Sequence, residues 1–263
     1  MAAPHVSMRG VTRVFPTQKG ALHALGPVDL DLRKGEFFAV VGPSGCGKST
    51  LLEMIAGLAP PSAGTVEFEG RAIGSDVPDG VGVVFQENAC FPWLNVADNI
   101  TFGLRRLPVA KDEVARRLDY ALGLMGLRDF AAAYPAQLSG GMRQRVCIAR
   151  TLVTQPRLIL LDEPFGALDQ QTRLLMGDEL LNLWRATGAT VLLITHALDE
   201  AAMLADRVAV MSSRPGCILE IIETGWSADR DSRIVSDPAF GAVTGKLWGL
   251  LRDQSLNALG PAA

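Results

Sequence analysis

The stretch Gly42-Pro43-Ser44-Gly45-Cys46-Gly47-Lys48-Ser49 constrains this chain more than any other. It has the spacing G-x-x-x-x-G-K-[ST] and lies between an apolar run at 37–41 and a helical pattern at 50–58. A strand must therefore end and a helix begin around a loop tight enough to turn its amide groups inward. Such a loop, with the positive end of a new helix behind it, cradles phosphate oxygens. Lys48 is placed to reach the β- and γ-phosphates of a nucleotide. Ser49 offers a hydroxyl to Mg2+, which bridges phosphate oxygens and draws off charge during transfer.

The rest of the chain agrees with a sheet that carries such a loop. Apolar runs at 37–41, 82–85, 158–161, 191–194 and 208–211 alternate with helical patterns, which predicts an α/β fold, a parallel sheet covered by helices. Between 96 and 150 the strands stop, and helical periodicity takes over at 111–125 and 141–153. Pro60-Pro61-Ser62-Ala63-Gly64 marks a turn before a strand at 65–69, and Arg214-Pro215-Gly216 closes the main domain. The expected division is a domain over 5–230, with a sheet core at 5–88 and 154–213 and an inserted helical subdomain at about 92–153. A short tail follows at 231–263, with a last helix at 240–251.

Composition removes several classes of function. Lys plus Arg number 25 against 28 Asp plus Glu, so no excess of positive charge is available to grip a nucleic acid backbone. Cys46, Cys90, Cys147 and Cys217 lack metal-ligand spacing, and a disulfide at Cys46 would obstruct the phosphate loop, so they read as reduced, cytoplasmic thiols. No apolar run approaches the roughly 20 residues that a spanning helix needs, and residues 1–9 lack the pattern of a signal peptide. Any membrane contact is expected to come through a partner.

A second element completes the expected phosphate site. Leu158-Ile159-Leu160-Leu161-Asp162-Glu163-Pro164 is an apolar strand that delivers two carboxylates at its carboxyl end, where open α/β sheets bind ligands. Asp162 can hold Mg2+ directly or through water. Glu163, one residue further and turned to the other side, can orient and deprotonate an attacking water.

Phosphate loops occur in many enzyme classes, and Leu138-Ser139-Gly140-Gly141-Met142-Arg143-Gln144-Arg145 narrows the choice. The segment resembles the signature motif of ABC transporter ATPases. It opens a helix whose amides, with the Ser139 hydroxyl, make a second anion-binding end. In that family two subunits pair head to tail, so that Ser139, Gly140 and Gly141 would face the γ-phosphate held by Gly42 to Thr50 of the other copy. The resemblance thus implies a homodimer with ATP as substrate and Mg2+ as cofactor. It also implies a fold of the P-loop NTPase kind, of ABC ATPase type with a helical subdomain and a short C-terminal extension.

Further residues fall in the family's order. Phe15 is similar to the aromatic that stacks on adenine. Gln86 matches the glutamine that reaches Mg2+ and joins the sheet core to the helical insertion. Asp169, in Gly166-Ala167-Leu168-Asp169, matches the aspartate loop, and His196 matches the switch histidine near the γ-phosphate. Two positions depart from the pattern: Met142 stands where glutamine is common, and Ala197 follows His196 where an acid is more usual.

Within the family, Glu87-Asn88-Ala89-Cys90-Phe91-Pro92-Trp93-Leu94, Phe165-Gly166-Ala167-Leu168-Asp169 and Ser213-Arg214-Pro215-Gly216 are similar to importers of nitrate, taurine and alkane sulfonates. Ser236-Asp237-Pro238-Ala239-Phe240 looks closest to taurine importers. The resemblance implies integral membrane permease subunits as partners and, indirectly, an extracytoplasmic solute-binding protein, with this chain held peripherally at the cytoplasmic face of the inner membrane. Trp93 then either lines the groove that receives a permease helix or packs inward. A soluble ABC protein of translation or repair is the rival from another class, but those usually carry two cassettes or long insertions, and this chain has one cassette.

Overall fold

The computed structural model describes residues 3–18, 20–86, 89–166 and 168–259. Its first two strands, β1 (Val6–Thr17) and β2 (Gly20–Leu32), form a long antiparallel pair, and β3 (Phe37–Val41) leads into α1 (Lys48–Ile55). After β4 (Ala63–Phe68), β5 (Arg71–Ala72) and β6 (Val81–Val84) come three helices, α2 (Val96–Thr101), α3 (Lys111–Leu124) and α4 (Gly140–Leu152). The chain then alternates through β7 (Leu158–Asp162), α5 (Gln170–Thr187), β8 (Thr190–Ile194), α6 (Leu198–Leu204) and β9 (Arg207–Met211). It ends with β10 (Ile218–Glu223) and α7 (Pro238–Leu259).

These strands make two sheets. The larger has the order β10-β9-β3-β8-β7-β6, parallel throughout except for β10, which pairs antiparallel with β9. The smaller is antiparallel, in the order β2-β1-β4-β5. Strands β3, β7, β8 and β9 are buried along their whole length, as a parallel sheet covered on both faces requires. Because successive side chains point to opposite faces, each strand serves two cores. Phe37, Ala39, Val41, Ile159, Leu161, Val191 and Leu193 join the cluster built with α4, α5 and α6. Phe38, Val40, Leu158, Leu160, Leu192 and Ile194 join the other, with α1 and the antiparallel sheet.

The α/β class and the parallel sheet read from the sequence are thus present, with small shifts at element ends. Helix α1 begins two residues before 50 and stops at Ile55. Strand β6 ends at Val84, leaving Phe85 at the surface instead of inside a strand. The strand expected at 65–69 is present as β4, but the antiparallel sheet it joins and β10 were not foreseen. Helix α7 packs back on the main core, where Phe240, Leu247 and Leu251 are buried in the cluster that holds α4 to α6. Among the described residues no helix is long and apolar enough to cross a membrane.

Candidate nucleotide site

At the carboxyl end of β3 the chain has to turn sharply into α1. Gly47 makes the turn possible, since it sits in the left-handed region at φ 107° as the residue before the helix. Gly42 is required for a different reason: a Cβ there would lie 2.9 Å from the Cys46 Sγ and 3.0 Å from the Met211 Cβ. No side chain caps α1 and no acid occupies its first turn, so its opening amides keep their positive end for an anion. Lys48 is buried, and its Nζ donates to Gly42 O at 2.8 Å and Pro43 O at 3.1 Å, folded back on its own loop. The Arg214 guanidinium donates to Gly45 O at 2.8 and 3.1 Å, tying the far end of the chain to the loop crest.

Beside the loop, β7 delivers Asp162 at its last residue. Burial pushes this carboxyl above its ordinary range, while the hydrogen bond from Ser49 and the nearby Lys48 charge pull it down. Its Oδ1 is buried with no hydrogen-bond partner. A buried carboxylate oxygen without a hydrogen-bond partner, next to a serine hydroxyl, is an oxygen donor set that a hard divalent ion such as Mg2+ fits.

Glu163 leaves the strand at φ 44°, in the left-handed region that non-glycine residues seldom occupy. Its amide donates to Ile194 O at 2.8 Å, and its carboxylate meets two other groups. Gln86 Nε2 donates to Glu163 Oε2 at 2.9 Å, and His196 Nδ1 lies 3.2 Å from the same oxygen. Three elements thus meet on one atom: the segment after β6, the end of β7 and the end of β8. Behind His196, the Thr195 hydroxyl donates to Glu200 Oε2 at 2.9 Å and accepts from the Ala197 amide at 3.0 Å.

A cavity of about 510 Å3 is lined by Phe15, Ser44, Gly45, Gly47, Lys48, Ser49, Thr50, Gln86, Glu163 and His196, with Leu22, Ala24 and Arg214 completing it. Most of the residues expected around the phosphate loop therefore share one space, while Gly42, Pro43, Cys46 and Asp162 do not line it. Phe15 stands at the far end of it on β1, with the Arg13 guanidinium 4.7 Å from its ring centre. A larger space of about 630 Å3 between α3 and α5 holds none of these groups.

Ser139, Gly140, Gly141 and Asp169 do not line the cavity. Ser139 caps α4, its hydroxyl accepting from the Met142 amide at 3.2 Å. Asp169 caps α5 by accepting from the Thr172 amide and hydroxyl at 2.9 and 2.7 Å, which holds its carboxyl below the usual carboxylate range. The two caps are neighbours, for a Cβ at Gly141 would sit 3.1 Å from the Leu168 Cδ2. Trp93 points outward with 71% of its surface exposed, so the inward alternative is ruled out. Glu87, Asn88 and Ala167, quoted for the importer resemblance, lie outside the described residues. Sequence reasoning gave no site role to Arg214 or Glu200; the first was visible only as part of a quoted motif, and the second as one acid in a helical pattern.

Comparison with known proteins gives the family of the chain. The family model described as ABC transporter matches residues 25–166. A nitrate import ATP-binding protein of Synechocystis is 40% identical over 254 residues, covering 94% of this chain and 95% of that protein. A taurine import ATP-binding protein of Jannaschia is 39% identical over 261 residues, covering 97% of both. Among solved structures, a dimeric ATP-binding cassette in a post-hydrolysis state bound to ADP and phosphate matches with a TM-score of 0.75 at 31% identity. It covers 84% of this chain and all of that one.

Proposed function

This chain belongs to the ABC transporter family as an ATP-hydrolysing subunit, and on that premise we propose that it energises uptake of taurine or a related sulfonate through a separate membrane permease. ATP hydrolysis is supported by the meeting of Gln86 and His196 on Glu163 Oε2 in the cavity of the phosphate loop, and the solute by the taurine import relative at 39% identity. A carboxylate held there accepts a proton from a water lying between it and a γ-phosphate, and the two neighbours fix its direction. Lys48 exchanges its loop carbonyls for phosphate oxygens, and Arg214 keeps the loop crest in place. Ser49, Asp162 and Gln86 would hold Mg2+, which supplies charge neutralisation on the phosphates when bound. Phe15 offers a face to the adenine ring.

Ser139, Gly140, Gly141 and Asp169 act in the second subunit's site, which is why they stand outside the cavity of their own chain. Two copies close on two ATP molecules and reopen after hydrolysis, and the permease follows through the exposed Trp93 surface. The chain works at the cytoplasmic face of the inner membrane, and a solute-binding protein meets the permease on the other side. Nitrate-type anions are the second reading for the solute, favoured by the nitrate import relative at 40% identity.

Deleting this subunit and growing cells on taurine, other sulfonates, sulfate or nitrate as sole sulfur or nitrogen source tests the assignment. Loss of growth on taurine and sulfonates, restored by the wild-type chain, is the expected result. Unimpaired growth on them, with uptake of another solute lost, overturns the solute and leaves the ATPase standing.

A further inference from the structure

Cys90 and Cys147 stand 57 positions apart in the chain, yet their sulfurs lie 3.6 Å from each other. The first lies in the irregular stretch 89–95 that leads into α2, and the second in the middle of α4. Cys147 is buried and Cys90 is partly exposed, so a small molecule reaches the pair from the Cys90 side. Arg150 lies beside the pair, one helical turn on from Cys147, with Nη2 4.0 Å from the Cys147 sulfur. The same side chain donates to Ala89 O at 2.7 Å and stands 4.9 Å from the centre of the Phe91 ring, which fixes the cation against the segment that carries Cys90. Cys90 also faces the Arg143 carbonyl, 3.5 Å from its sulfur.

This is an electropositive, thiol-donating setting of the kind that makes a cysteine reactive. The hydrogen bond from Cys90 lowers the Cys147 thiol to about 7, against the effect of its burial and with help from Arg150. The same contact, with burial, pushes Cys90 up. The contact therefore favours a single thiolate, held by the other cysteine's thiol, over two free thiols.

We propose that Cys90 and Cys147 form a hydroperoxide-sensitive modification site, whose oxidation to a disulfide ties the segment after Gln86 to α4 and slows ATP turnover. The thiolate of the pair attacks one oxygen of a hydroperoxide arriving from the Cys90 side; the O–O bond breaks, an alcohol or water leaves with a proton from solvent, and the attacking cysteine becomes a sulfenic acid. The other cysteine's sulfur then attacks the sulfenic sulfur, the S–O bond breaks, and water leaves with that cysteine's proton. Two thiols are oxidised and one peroxide is reduced. The sulfurs have to close from 3.6 Å to about 2.05 Å.

The consequence follows from what each end carries. Gln86, four residues before Cys90, touches Glu163, and α4 begins at the Ser139 cap. A covalent tie fixes one relative to the other, whereas the proposed cycle needs the glutamine segment and α4 to shift between open and closed states. The effect on turnover rests on the ATPase reading, but the chemistry of the pair does not.

The test uses the full-length purified chain and hydrogen peroxide, with peptide mapping under non-reducing conditions, ATP binding and phosphate release followed together. A Cys90–Cys147 peptide is expected to form while phosphate release falls about fivefold or more, ATP binding persists, and dithiothreitol restores both thiols and turnover. Cys90→Ser and Cys147→Ser keep their turnover before treatment and resist peroxide. The proposal is overturned if thiols are lost without that linked peptide, or if the peptide forms and turnover is unchanged. It is also overturned if Cys90→Ser is inhibited as strongly as the wild type, which would place the effect elsewhere, as at Cys46 in the phosphate loop. Absence of ATP hydrolysis in the untreated, reduced protein would instead count against the ATPase reading, and the linked peptide would still report on the pair.

Discussion

Glu200 lies four residues beyond His196, almost fully buried, with Oε1 lacking any hydrogen-bond partner and Oε2 accepting from Thr195. Burial raises its carboxyl from the ordinary 4.5 to about 7; the Thr195 hydrogen bond and the Arg173 charge oppose the rise, and Glu163 adds to it. Between those two values the folded chain holds a proton that the unfolded chain has released. The contribution is therefore fully present below about 4.5 and is lost as pH rises through about 7. Melting curves from pH 5 to pH 8 should show stability falling, and Glu200→Gln should flatten the fall and gain on the order of 1–3 kcal/mol at pH 8. Identical pH profiles for the two proteins would remove Glu200 from this role. The residues that touch phosphate and metal were legible because their spacing along the chain is short: eight consecutive positions for the loop, two for the carboxylates. Glu200 and Arg214 were not, since what gives each its setting is burial or a partner far away, as when Arg214 meets Gly45 across 169 positions.

At the level of elements, the strands that read clearly are those buried on both faces, because continuous apolar runs such as Leu158–Asp162 survive any register. The antiparallel pair was invisible for the opposite reason. Its register slips between Met8 and Val11, again before Arg13 and again before Val14, so the alternation of apolar and polar residues is broken three times in one strand. The segment carrying Trp93 shows how an exposed apolar surface is kept rigid. Buried Asn99 accepts from the Phe91 amide at 2.8 Å and donates to the carbonyls of Phe91, Leu94 and Asn95 at 3.1, 2.8 and 3.0 Å. Phe91 packs on Phe102 with ring centres 4.4 Å apart, and Trp93 stands outside this frame, 5.7 Å from Phe91. Trp93→Ala should therefore leave ATP hydrolysis by the isolated subunit within about twofold while solute uptake in cells is lost. Uptake at the wild-type level in that variant would mean that the permease docks elsewhere.

For the whole molecule, the two sheets and the helices around α4 place the catalytic candidates in two groups. Phe15, the phosphate loop, Gln86, Asp162, Glu163 and His196 gather at or beside one cavity, and Ser139 to Gly141 with Asp169 lie outside it. The sequence order of these motifs was enough to recognise both groups, but not to show that one chain holds them apart. That separation is what a site shared between two copies requires. The measurement that bears most directly on the account is ATP binding, phosphate release and oligomeric state of Glu163→Gln beside the wild type. ATP affinity should stay within a few-fold and phosphate release should fall by about 100-fold or more, with ATP holding the variant as a closed dimer. Phosphate release near the wild-type rate would contradict the account, because it would take Glu163 out of the chemistry that the site is argued to perform.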